Sequence, residues 1–180
     1  MNTLRNFYYL RAGVAFAWVA LAVLAASVTA PIAVAGTLLV IYPLWDAVAN
    51  VIDARRSGGL QANPGQKFNA LTSLITGVAM AVALVLHGIS GGELVFGVWA
   101  ALAGLFQLAV GIRRRKLGGQ VFMILSGAQS VLAGAHAVVR ATGATPSITE
   151  LAPYAAFGGF YFLCSALWLT FNKPRAVAVF

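Results

Sequence analysis

Charge is scarce in this chain, and acid is scarcer than base. Of 180 residues only 4 are Asp or Glu against 12 Lys or Arg, and charged residues make up 9% of the total. A water-soluble domain carries roughly 25%. With hydrophobic residues at 61%, there is too little polar surface to cover a core in water, so lipid is the expected solvent. Cysteine is nearly missing as well. Cys164 stands alone inside an apolar run, which rules out an intrachain disulfide, and no Cys/His cluster has the spacing of a metal site. Nor is there a P-loop, a Gly-rich dinucleotide turn, a nucleophile elbow or an HExxH helix. The expectation is therefore no enzyme, no catalytic residues, no cofactor and no metal. The formal net charge of +8 raises nucleic acid as a partner, but that footprint is a basic face interleaved with aromatics. Here the bases flank apolar runs, so no nucleic acid is expected.

What the chain has in quantity is membrane-length apolar sequence. A spanning segment must satisfy its own backbone hydrogen bonds and needs about 20 apolar residues of helix. Six such runs occur, at 11–30, 32–53, 67–87, 93–112, 119–140 and 151–171. The fold class expected is all-α: a polytopic membrane protein with six transmembrane helices arranged as three helical hairpins. Thr29-Ala30-Pro31 makes the first turn, proline being suited to end one helix and open the next. Gly88-Ile89-Ser90-Gly91-Gly92 makes another and Thr142 to Thr149 a third, with Ser147 and Glu150 at capping-box spacing before the last helix. Residues 1–30 have the outline of a signal peptide, with Val28-Thr29-Ala30 as a small-x-small site. The apolar stretch is too long for an ordinary leader, Pro31 would follow the cut, and another run begins at once, so it reads as a retained helix.

The bases set the orientation. Arg5, Arg11, Arg55, Arg56, Lys67, Arg113 to Lys116, Lys173 and Arg175 all fall on one side of these runs, and Arg140 alone on the other. The positive-inside rule makes the first side cytoplasmic, with both termini there. Phe7, Tyr8 and Tyr9 read as anchors at that interface.

The runs also repeat, in units of about 1–59, 60–119 and 120–180. Gly36 with Pro43-Leu44-Trp45-Asp46 is matched by Gly97 with Gly104-Leu105-Phe106-Gln107, and again by Gly159 with Ala166-Leu167-Trp168-Leu169. Each unit begins and ends on the same side, which makes these parallel repeats of a single membrane domain. Gly97-x-Trp99 continuing to Gly104-x-Phe106-Gln107, then a basic cluster and Gly118-Gly119, resembles the HdeD-like family of short-repeat bacterial membrane proteins. The resemblance covers the whole chain and is strongest from Gly92 to Gly134. It implies a six-helix protein of the bacterial inner membrane, linked in some members to acid resistance, with no assigned catalytic residues. Leu169 departs from the pattern, standing where the other units have Asp46 and Gln107.

Polar residues inside the runs are the candidate site. An ionisable side chain in a spanning helix costs about 2.5–3.5 kcal/mol on insertion scales, so it is expected to face protein and to have a partner. Tyr42, Asp46, Asn50 and Asp53 recur at helical spacing as one polar stripe. Folding the first hairpin brings Arg11 level with it, allowing an Arg11–Asp46 or Arg11–Asp53 pair. As a functional group Asp46 would be a proton or cation site; as a structural one, a clamp between the first two helices. The clamp is preferred, because no second membrane carboxylate accompanies it. Gln107, its repeat equivalent, and Gln129 could complete a solute site or simply bond across helices. Small residues at intervals of three, four or seven, such as Ser126, Ser130 and Gly134 or Ala100, Gly104 and Gly111, let helices approach closely within the bundle or in a homo-oligomer.

On the outer face the titratable groups are His87, Glu93, His136, Arg140 and Glu150. Acidification would make that face more positive, as histidine titrates near pH 6.5 and carboxylates near 4 in water. Three roles stay open: acid-stress or envelope protection, a small transporter or channel with Asp46 and Gln107 lining its path, and an adaptor docking a membrane partner protein. The lipid bilayer is the one partner expected in every case.

Overall fold

The computed structural model describes residues 2–28, 32–141 and 148–172. Among these are five α-helices, namely α1 (Asn2–Ser27), α2 (Ile32–Arg56), α3 (Pro64–Arg113), α4 (Gln120–Arg140) and α5 (Ala152–Phe171). Short 3-10 turns cover Arg115–Leu117 and Ile148–Leu151, and there is no strand among the described residues. All five helices are long and apolar enough to cross a membrane. The turn at Thr29 to Pro31, Ser147 with the side chain of Glu150, and the bases Lys173 and Arg175 lie outside the described residues.

The longest element, α3, is not straight. Residues 26 apart on a continuous helix would be about 39 Å apart at 1.5 Å per residue, yet the Trp99 indole N–H donates to the Ser73 hydroxyl over 2.8 Å. The chain therefore folds back on itself. The break falls at Gly88, with φ 62° and ψ −152°, a region open essentially to glycine alone. Arms 64–87 and 89–113 then run antiparallel, and a Cβ on Gly91 would sit 2.8 Å from the Ala83 carbonyl oxygen. The sequence suggests a five-residue loop here, but Ile89 to Gly92 remain helical and a single residue makes the reversal.

The helices close into a ring in which α1 touches α2 and α5, α3 lies between α2 and α4, and α4 meets α5. Glycines determine how closely the second arm of α3 approaches α4. A Cβ on Gly97 would meet Gly134 O at 2.9 Å, and one on Gly104 would meet Gly127 O at 2.7 Å. Backbones this near gain dispersion contacts that larger residues would forfeit, which is how helices associate where lipid is as apolar as leucine.

Burial differs from that of a soluble protein in an apolar outer surface and a set of buried polar groups beside the apolar core. Val85, Leu132, Val139 and Phe171 point outward, while Asp46, Asn50, Asn69, Ser73 and Ser165 are buried. The interior is filled by small side chains and by an aromatic cluster of Trp18, Tyr42, Phe96, Trp99 and Tyr154. Pro43, inside α2, has no N–H to offer the preceding turn. In the turn before it the Leu38 carbonyl accepts from the Trp18 indole, 2.8 Å away. Phe7 and Tyr8 do not serve as lipid anchors. Both are buried at the basic end, where Tyr8 and Gln120 share hydrogen bonds of 3.1 and 3.4 Å. The reason is that α1 packs along α5, so its early aromatic residues enter the core.

Candidate functional site

Asp46 is the hub of the interior. It is 6% exposed and pairs with the guanidinium of Arg11. Its second carboxylate oxygen accepts from Asn50 at 3.0 Å, Asn69 at 3.2 Å and Ser73 at 2.9 Å. Ser73 in turn accepts from Trp99. One carboxylate thus ties α1, α2 and both arms of α3 together, and Arg11 reaches a fourth helix by lying 4.2 Å from the centre of the Phe162 ring on α5. The polar stripe lies along α2, and of the two pairings left open by the sequence, Arg11–Asp46 is the one formed.

Asp53 pairs elsewhere. Arg114 donates to it at 2.7 Å and Gln66 at 3.1 Å, and Arg114 also reaches Ser57 and Asn63. This second cluster joins the basic ends of α2 and α3. Gln107 donates to the Met123 carbonyl over 3.3 Å, bridging the second arm of α3 to α4. Gln129 is not brought to Asp46; it lies toward the opposite end, beside Glu93, His136 and Arg140. Of the outer-face groups, His136 and Glu93 share that pocket, while His87 stands exposed at the Gly88 reversal.

Between the helices runs a string of cavities. One, of about 40 Å³, is lined by Asp53, Arg114, Gln120, Gln66, Asn69 and Gln107 and begins at the basic end. A second of about 40 Å³ lies beyond it, against Asp46, Tyr42, Trp99, Ser126, Ser130 and Tyr154. Arg11, Asn69, Gln107 and Phe162 border both. A narrow space of about 10 Å³ follows, sharing Ser126, Ser130, Tyr154 and Gly158 with the second cavity. It shares Gln129, Tyr154 and Phe157 with a larger pocket of about 330 Å³ at the other end. Tyr154, whose hydroxyl interacts with Ser130, borders this small space and both of its neighbours.

Asn69, Ser73, Gln66 and Tyr154 belong to this site and are not among the residues singled out by sequence; Trp99 enters the sequence reading only as part of the repeat motif. A signal was present: Gln66, Asn69 and Ser73 recur at three and four, a polar stripe at the start of α3. Set antiparallel to the stripe on α2, it gives the observed pairs. Among the described residues no group of three or more His, Cys, Asp or Glu side chains is placed to hold a metal ion. Compared with protein-family models, with curated proteins and with solved structures, the chain matches none of them.

Proposed function

We propose that this chain is a six-crossing membrane protein that conducts a small solute through the seam that all five helices line. The observation that carries the reading is the succession of cavities, each sharing lining residues with the next from the basic end to the opposite one. A bundle held only by packing has no need of polar space along its length, since protein interiors close to high density. The two arms of α3, separated at Gly88, supply the third and fourth crossings. The positive-inside rule puts the basic end, with Arg55, Arg56, Lys67 and Arg113 to Lys116, at the cytoplasmic side of a bacterial inner membrane. Asp46 then acts as the clamp that fixes the path wall, because its oxygens are already engaged by Arg11, Asn50, Asn69 and Ser73.

Gly158→Leu tests this directly. A Cβ at Gly158 has only the Tyr42 hydroxyl within 4 Å, at 3.9 Å, so the new side chain enters the second cavity without moving backbone. In proteoliposomes, the native protein should raise the permeability to water, small neutral solutes or ions, and the variant should abolish the gain while unfolding at the same temperature. No gain over protein-free vesicles for any of them would refute conduction.

A second, physiological reading is acid-stress protection as an HdeD-like protein. The motif behind that resemblance maps onto the same wall: Gly97 and Gly104 seat α4, Trp99 holds Ser73, and Gln107 borders both inner cavities. A strain lacking the protein should then survive pH 2–3 less well than its parent, and equal survival would remove the idea.

A further inference from the structure

Asn69 carries a polar atom that the fold does not use. Its side-chain nitrogen donates to Asp46, but its oxygen Oδ1 is buried with no hydrogen-bond partner, in a residue only 6% exposed. A buried acceptor left empty is costly, so such atoms are satisfied by a solute or by ordered water. Asn69 borders both inner cavities. Gln107, which also borders both, uses its N–H on Met123 and keeps an amide oxygen as a second acceptor. The hydroxyls of Tyr42, Ser126, Ser130 and Tyr154 complete the lining of the cavity at Asp46.

The charges there cancel. That cavity is bordered by one cation, Arg11, and one carboxylate, Asp46, and they pair with each other. Toward the basic end Asp53 is paired with Arg114. An ion entering this seam would lose its hydration without meeting an uncompensated opposite charge, which the low-dielectric interior penalises heavily. A neutral molecule with an N–H or O–H to give loses little, because acceptors wait for it. Each 40 Å³ cavity has room for about one water molecule.

We infer that the seam is a binding path for water-sized, uncharged hydrogen-bond donors, with the Asn69 oxygen as its central acceptor, and that it rejects ions. This rests on the conducting role proposed above. The test uses vesicles containing the full-length protein, with water as the probe in osmotic shrinkage and a pH-sensitive dye and potassium as ionic probes. Water permeability should rise several-fold over protein-free vesicles, with proton and potassium leak at background. Asn69→Leu and, separately, Gln107→Met should each remove most of the water gain; the second variant leaves the Asp46 cluster intact, so a folding defect at position 69 does not spoil the result. If protons or potassium cross while water does not, the solute class is wrong and the path stands. If no probe crosses, the conducting role itself fails. Unchanged water flow in Gln107→Met and in a folded Asn69→Leu would remove the acceptors from the mechanism.

Discussion

Replacing Asp46 by asparagine should destabilise the bundle by about 3 kcal/mol, at the lower end of the roughly 3–5 kcal/mol lost when one partner of a buried ion pair is removed. The regime is set by burial: the side chains of Arg11 and Asp46 are 15% and 9% exposed. The lower end applies because Arg11 keeps the Phe162 ring beneath it, a contact worth up to about 2 kcal/mol when desolvated. The neutral donors matter less, since single polar contacts between membrane helices average about 0.6 kcal/mol. Ser73→Ala should nevertheless cost about 1–3 kcal/mol, because it also leaves the buried Trp99 indole N–H without its acceptor. Arg11→Met should cost less than Asp46→Asn, as the carboxylate would retain Asn50, Asn69 and Ser73. Combined in one chain, the two changes should be less damaging than their sum by about 2 kcal/mol, the coupling expected of charges in direct contact. Unfolding by SDS in mixed micelles, followed by tryptophan fluorescence, suits the question because Trp45 and Trp99 border the Asp46 cavity. An additive cycle, or an Asp46→Asn loss below about 0.5 kcal/mol, the usual limit for a substitution at an unremarkable surface site, would show that the pair does not hold the helices together.

Glycines separate contact from conformation. Gly104→Val should lower stability by about 1–3 kcal/mol through overpacking, because a Cβ there meets Gly127 O at 2.7 Å; Gly13→Ala, with nothing within 4 Å, should be neutral or gain up to about 1 kcal/mol of helix preference, and equal effects at the two sites in the same SDS titration would contradict the close α3–α4 approach. Gly88→Val should cost about 1–3 kcal/mol from backbone strain alone, since no atom lies within 4 Å of a Cβ there; a variant as stable as the native protein would mean the reversal does not require positive φ. For orientation, a cysteine replacing exposed Lys116, in a chain whose native Cys164 is changed to alanine, should react with an impermeant maleimide only after the cells are opened. Labelling in intact cells would invert the assignment of the basic end.

Much of the fold could be read from the chain because lipid imposes a single rule, that backbone polar groups be satisfied within each segment. Run lengths therefore located α2 and α5 to within a few residues, whereas α1 begins nine residues before its run, at Asn2. Boundaries set by side-chain detail were harder. The third and fourth runs are separate in hydropathy but meet at Gly88 without a loop, because the following residues, including Gly91 and Gly92, pack helically against the first arm. Arg11–Asp46 was within reach because both lie in adjacent runs joined by a short turn, although the sequence left Arg11–Asp53 equally open. Arg114–Asp53 was not, because the partners are 61 positions apart and their meeting depends on how α3 returns beside α2. The same holds for Tyr8 and Gln120, 112 positions apart, so Tyr8 reads as an interfacial anchor until the α1–α5 contact is known. Gln129 shows the opposite limit: it shares the polarity of Gln107, but its place on α4 sends it to the other end of the seam.

The one-residue reversal at Gly88 has a consequence for biogenesis. With no hydrophilic linker between the arms, an insertion as the two crossings proposed above would haul nothing bulky through the bilayer, and the arms could enter as a preassembled pair. It also leaves that tip without slack, so an epitope tag or protease site spliced in beside His87 should pry the pair apart, whereas the longer crossing from Ser57 to Asn63 offers room for one.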